Sequence, residues 1–243
     1  MMDSYWQGKS LEAIADDKAI NSIEFQKNGS AKAFSLSEQI ANQIGERIIR
    51  GHYQPTERIM EQYLAEEFEI SRGPIREALR VLESYGLVKI IPRRGAQVTK
   101  LSREEVQDIY EIRASLLGVA AKRISLRQPE ETRGECSRMA AEIQQIATNT
   151  KDLNLYLNAS FALTIWLTEM SGNARLSKLM HTLTLQTRRY TRIGFNSKQD
   201  CIQSAEVWGS LLGCIERGEG EMAEERAQAL VLASLKRIVE QID

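Results

Sequence analysis

Across residues 36–50 the apolar side chains fall at Leu36, Ile40, Ile44 and Ile48, the spacing of a helix with one buried face, and Gly51 ends the run. Residues 52–55 read as a turn closed by Pro55. A short helix follows over 61–68, with Leu64, Ala65 and Phe68 on its apolar side. A third helix starts at Ser71, a suitable N-cap, and accepts Pro74 in its first turn, where a missing N–H costs little. It runs to Tyr85, and Gly86 closes it. Residues 87–91, apolar and β-branched, predict a strand. Residues 92–95 predict a tight turn and 96–99 the returning strand. Three helices followed by a hairpin describe a winged helix-turn-helix.

Beyond Leu101 the pattern is helical throughout. Ser102 and Glu105 have the spacing of a capping box that opens a helix reaching Ile124. Its expected buried stripe is Ile109, Ile112, Leu116, Val119, Ala120 and Ile124. Further helices are predicted at 131–148, 151–170, 173–194, 199–217 and 219–241, and no proline follows Pro129 to interrupt them. The predicted fold is therefore mostly α, an N-terminal winged helix-turn-helix plus a C-terminal all-helical bundle of six to seven helices. Residues 1–34 form an extension, part helical or a flexible arm, whose apolar positions are Leu11, Ile14, Ala15, Ile20 and Ile23. The expected boundaries are 1–34, 35–100 and 101–243.

Composition excludes several classes. Of 243 residues, 42% are hydrophobic and 27% charged, an ordinary globular balance that rules out wholesale disorder. No apolar run approaches the roughly 18 residues of a membrane span. The opening residues lack the basic start and apolar stretch of a secretory signal. Cys136, Cys201 and Cys214 are too few and too scattered for a disulfide framework or a zinc knuckle. A cytoplasmic protein, with no membrane contact, is expected.

Net charge is −1, but it is unevenly spread. Residues 72–100 carry Arg72, Arg76, Arg80, Lys89, Arg93, Arg94 and Lys100 against Glu77 and Glu83. That local excess marks where a polyanion would bind. Arg72, Arg76 and Arg80 stand at i, i+4 and i+8, so they fan over an arc of about 80°. Ile75, Leu79 and Leu82 lie on another face. A helix with one packed side and one arginine side suits a major groove. Arginine serves both for bidentate contact to guanine and for clamping phosphate. Arg93, Arg94 and Gly95 at a hairpin tip supply what a wing along the duplex needs.

The order Leu64-Ala65, then Ser71-Arg72-Gly73-Pro74-Ile75-Arg76-Glu77-Ala78-Leu79, then Leu82-Glu83, Gly86-Leu87-Val88 and Pro92-Arg93-Arg94-Gly95-Ala96 with Val98, resembles the GntR-family winged helix-turn-helix. The resemblance covers residues 36–99. It implies that Ser71, Arg72, Pro74, Arg76, Arg80, Arg93, Arg94 and Gly95 meet operator DNA. Arg72 and Arg76 would touch base edges and nearby phosphates, and Arg94 and Gly95 would enter the minor groove.

Residues 102–243 resemble, more diffusely, the helical effector domain of the FadR subfamily, known as FCD. Tyr110-Glu111-Ile112-Arg113, Ser171-Gly172-Asn173 and the Gly218-Glu219 break carry the likeness. Many such domains hold a divalent metal through an Asp-x3-His pair and two later histidines. In register with that pattern stand Ser160, Thr164, Trp208 and Leu230, none of them a strong transition-metal ligand. The whole chain has two histidines, His52 and His181. No metal or other cofactor is expected. One recognition helix per chain leads to the expectation of a homodimer paired chiefly through the helical domains, and the resemblance implies a small-molecule effector, a carboxylic acid or an acyl-CoA. The candidate effector contacts are Arg113, Ser160, Thr164, Arg188, Arg189, Arg192 and Trp208.

Catalysis is not expected. Two histidines so placed build no Ser/His/Asp set, and there is no Gly-rich phosphate loop. The expected function is a sequence-specific transcriptional regulator, a repressor, whose operator affinity a ligand modulates. The competing expectation is an effector-blind DNA-binding protein whose helical domain only dimerises.

Overall fold

The computed structural model describes residue 6 and residues 9–16, 35–128, 132 and 134–242. Ile20, Ile23, Pro129 and the start predicted for the helix at 131 lie outside them. A short helix, α1 (Leu11–Asp16), comes first. α2 (Leu36–Ile49) opens on a capping box between Ser35 and Glu38, each side chain accepting the other's backbone N–H. Then come β1 (Arg58–Ile59), α3 (Glu61–Glu67), α4 (Arg72–Ser84), β2 (Val88–Ile91) and β3 (Gly95–Val98). The strands form an antiparallel sheet in the order β1-β3-β2, with Ile59 opposite Ala96 and Ile91 opposite Gly95. Ile40, Ile44 and Ile48 of α2 and Ile75, Leu79 and Leu82 of α4 are buried in the core of this unit. Two details differ from the pattern. β1, only two residues long, shows no alternation to read. Leu36 is half exposed, because it occupies the first position of α2, ahead of the buried face.

Six longer helices follow: α5 (Arg103–Arg127), α6 (Glu135–Asn149), α7 (Leu153–Met170), α8 (Ala174–Gly194), α9 (Lys198–Glu216) and α10 (Gly220–Val239). Ser102 and Glu105 make the reciprocal capping box predicted for α5. The buried face of α5, however, is rotated from the expected stripe. Ile112 and Val119 are 47% and 42% exposed, and Ile109 and Leu116 are only partly covered. Ala120 and Ile124 are buried as expected, and with them Val106, Tyr110, Arg113, Ala114, Leu117 and Ala121. The cause is close helix packing. α10 lies along α5, and a Cβ on Gly118 would already stand 3.1 Å from the Gln228 side chain. Lys122 spans the same seam to Glu221 and Glu224, at 2.8 and 2.9 Å. Small side chains let the backbones approach, and the larger aliphatic ones are left outside.

α7 is buried on every side from Phe161 to Thr168, as a helix apolar all round must be. Part of its cover comes from the N-terminal extension. α1 packs on α7 and α6, with Leu11, Ile14 and Ala15 fully buried, so the helical bundle holds seven described helices. The Leu11 N–H donates to the Glu142 carboxylate, and the Arg138 guanidinium donates to the Lys9 carbonyl. Trp6 is buried too, and its indole Nε1 donates to Glu169 Oε2 at 3.1 Å.

Burial pushes the Glu169 carboxyl up to about 7, the Trp6 hydrogen bond opposing it only in part, and Glu169 Oε1 is buried without a partner. The fold thus favours the neutral acid. Its contribution is present in full below the unfolded carboxyl value near 4.5 and is lost as pH rises through about 7. Glu169→Gln should therefore flatten the stability profile across that window. At pH 8 it should stabilise the chain by about 2 kcal/mol. Denaturant unfolding at pH 5 and pH 8 checks this; a variant profile as steep as the wild type contradicts it.

Candidate nucleic-acid interface and effector cavity

Ser71 occupies the N-cap position of α4 with extended backbone, yet its side chain makes no capping bond. Its hydroxyl and the first N–H groups of α4 face solvent at a helix N-terminus, an electropositive point suited to a phosphate. Pro74 sits in that first turn, half-buried. Arg72, Arg76 and Arg80 are all exposed, while Ile75, Ala78, Leu79 and Leu82 hold the opposite side of α4 in the core. Arg76 is pre-oriented: its Nη2 and Nε donate to the two Glu61 carboxylate oxygens at 2.8 and 3.2 Å. That bidentate hydrogen bonding holds the Glu61 carboxyl below its ordinary range. Arg80 pairs with Glu77 at 2.7 Å.

The wing turn exposes Pro92, Arg93 and Arg94 between β2 and β3, and Arg93 takes φ +63°. Gly95 has φ +82°, and a Cβ there would meet the Ile59 carbonyl oxygen at 2.4 Å. The close approach that requires glycine is thus made by β1 across the sheet. The arginines of α4 and of the wing lie along one sequence-continuous unit, as a duplex-binding surface needs.

In the helical bundle α5, α7, α8, α9 and α10 enclose a cavity of about 60 Å³. Of the candidate effector residues, Arg113, Ser160, Thr164, Arg188 and Trp208 line it; Arg189 and Arg192 do not. Arg189 points elsewhere along α8, beside the Tyr190 ring, and Arg192 faces solvent. Arg113 is only 7% exposed. Its guanidinium lies 4.5 Å over the Tyr110 ring and its Nη1 donates to Thr187 Oγ1 at 2.8 Å, while Nε is buried without a partner. Arg188 enters from α8. Its Nη2 donates to Asn158 Oδ1 at 2.7 Å, and burial pushes it down to about 10, still protonated at neutral pH. Trp208 Nε1 donates to Ser160 Oγ at 3.0 Å, and Thr164 Oγ1 to the Ser160 carbonyl.

Sequence reasoning did not single out Tyr110, Thr184, Thr191, Ser204 and Ser234, which complete the polar part of the wall. The signal available was position: Tyr110 and Arg113 are three apart, and Thr184, Arg188 and Thr191 follow a helical i, i+4, i+7 series.

The family model for bacterial regulatory proteins of the gntR family matches residues 36–98, and the FCD domain model matches residues 108–233. The chain belongs to the GntR family, in its FCD-bearing form. Among relatives it is 35% identical over 144 residues to the HTH-type transcriptional regulator YdhC of Bacillus subtilis, covering 58% of this chain and 63% of that protein, a little under two thirds of its length. It is 28% identical over 146 residues to the gluconate operon transcriptional repressor of Bacillus licheniformis, over 54% of this chain and 59% of that one. Among solved structures, Escherichia coli McbR/YncC superposes with a TM-score of 0.73 at 19% identity, covering 86% of this chain and 99% of that chain, which shows a shared fold.

FCD relatives that carry a metal need carboxylate and imidazole ligands. Here the four residues in that register, Ser160, Thr164, Trp208 and Leu230, all face the one cavity. Two hydroxyls, an indole already donating to Ser160, and an isobutyl group do not fit a transition-metal ion. Among the described residues no group of three His, Cys, Asp or Glu side chains is placed to hold one.

The sheet geometry makes Gly95 a stringent position. Gly95→Ala should lower stability by about 2 kcal/mol or more, through both the positive φ and the clash with Ile59. Thermal unfolding measures it; an unchanged midpoint would contradict the strand arrangement.

Proposed function

We propose that this chain is a homodimeric, operator-binding transcriptional repressor whose DNA affinity is set by a small organic carboxylate held in the helical cavity, without a metal and without catalysis. In this reading residues 35–100 bind DNA, residues 101–243 bind the effector and dimerise, and residues 1–34 are an extension. Family membership and the exposed arginine face of α4 support the DNA-binding part. Ser71, Arg72, Pro74, Arg76, Arg80, Arg93, Arg94 and Gly95 are assigned to the duplex interface, in the cytoplasm where the operator lies. The repressor sense is supported by the relative named as a gluconate operon repressor.

The observation that carries the effector part is Arg113. A permanently charged guanidinium is buried, one of its donors is unpartnered, and it lines a cavity walled by hydroxyls. A carboxylate satisfies a guanidinium bidentately, and a second cation, Arg188, enters from the facing helix. Volume narrows the class. About 60 Å³ holds a few waters or a short hydroxy- or dicarboxylic acid, which favours a small carboxylate over an acyl-CoA in this reading. The paired arginines replace the charge a metal supplies in relatives that bind one.

Dimerisation is supported by α5. Ile112, Val119 and Leu126 recur every seven residues on its exposed face, an apolar row suited to a second copy. Two chains would present two α4 helices to successive major grooves of a pseudo-palindrome.

Arg76→Ala should cost on the order of 1–3 kcal/mol on an operator duplex selected from a random pool, and much less on unrelated duplex. Fluorescence anisotropy on both duplexes checks it, and equal losses would reduce Arg76 to a phosphate contact. Titrating short carboxylates against the operator complex tests the effector part. At least one should release the DNA, and Arg113→Gln should abolish that release. Indifference to the whole set would leave the effector-blind dimer as the better account.

A further inference from the structure

α8 serves two neighbours at once. Toward the bundle, Thr184, Arg188 and Thr191 line the cavity. Toward the winged unit it carries His181 and Gln186. His181 is fully buried between two rings: Phe161, with centroids 6.2 Å apart and planes at 40°, and Tyr85, at 5.9 Å and edge-on. Phe161 is itself cavity wall and lies 4.3 Å beneath the Arg188 guanidinium. Tyr85 is the C-cap of α4. The next residue, Gly86, has φ +72°, and a Cβ on it would come within 2.4 Å of Gln186 Nε2. The end of the arginine-bearing helix therefore lies against the Gln186 and His181 side chains of α8. A second link runs beside the first: Glu46 and Arg50 of α2 both act electrostatically on Arg188.

We propose that Phe161, His181 and Tyr85 form a positioning relay through which occupancy of the cavity changes the seating of α4, with Arg188 as the group that senses the ligand's charge. The inference rests on the effector reading above and adds the route by which it reaches DNA. A carboxylate entering the cavity competes for Arg188 with Asn158 and the Phe161 ring face. When the guanidinium moves, the ring beneath it loses its cover and repacks. Close-packed rings do not give way singly, so His181 and then Tyr85 must follow. His181 and Tyr85 touch neither the cavity nor the DNA surface; their role is to transmit.

The test separates binding from response. Full-length wild type, His181→Leu and Tyr85→Leu are compared with sodium succinate and sodium gluconate as probes. Binding is read by tryptophan fluorescence and response by anisotropy of a selected operator duplex. In the wild type a bound probe should weaken the operator complex about tenfold. Both variants should bind the probe as the wild type does, yet respond by less than about twofold. A full response in the variants overturns the relay, and binding without response in the wild type overturns relay and effector reading together. Tyr85, only half-buried, provides the folded control if His181→Leu unfolds.

A ligand-free arm decides the case in which neither probe binds. Operator affinity is measured for Arg188→Gln, His181→Leu and the double variant. A double loss departing about fivefold from the product of the single losses supports the relay although the effector reading fails, whereas strictly multiplicative losses overturn it.

Discussion

Placing Arg113 inside a helical bundle takes a permanent charge out of water, at a cost of several kcal/mol unless the surroundings restore what solvent supplied. The surrounding helices answer that demand in part. Tyr110 offers a ring face, Thr187 an oxygen, and a set of hydroxyls keeps the neighbourhood polar. Nε is left without a partner. A buried cation with one donor still open is poised for an anion, and the cavity beside it gives that anion somewhere to sit. The close packing that turns the face of α5 toward α10 also brings Tyr110 and Arg113 to this cavity and leaves Ile112 and Val119 outside.

α8 joins this interior to the winged unit. Its threonines and Arg188 belong to the cavity, while Tyr190 accepts the Leu101 N–H at 2.8 Å and so pins the segment that connects the two units. α1 is docked on α6 and α7 ahead of α2, so the winged unit has a packed helix of the bundle on either side of it in sequence. A change in the bundle thus meets the DNA-binding unit through packed contacts, which respond by switching between arrangements.

The winged unit was largely legible from sequence because local signals agree there. The Ser71 start, the Pro74 position, the Gly86 stop and the apolar spacing of Ile75, Leu79 and Leu82 each point to the same helix, and charge completes the reading. Part of the buried face of α5 was misread, Ile112 and Val119 above all, because periodicity scores aliphatic residues as inward, whereas the close seam with α10 admits small side chains. Arg113, Ser160, Thr164, Arg188 and Trp208 were reached by register and chemistry, and the structure brings them together. Arg189 and Arg192 share the chemistry of Arg188 but fall on other faces of α8, a distinction that needs the helix rotation. The docking of Trp6 on Glu169 spans 163 residues, and no local pattern announces a contact of that range. The two ring partners of His181, Tyr85 and Phe161, likewise come from different units, and sequence spacing shows neither contact.

The most direct measurement of the central claim is native mass spectrometry of the purified full-length protein, compared with Arg113→Gln prepared identically. The account predicts a dimer carrying a small organic acid in each chain, or taking one up on addition, and no such adduct on the variant. A dimer that stays bare in both proteins across a range of short carboxylates would contradict it, and so would an adduct unaffected by the loss of Arg113.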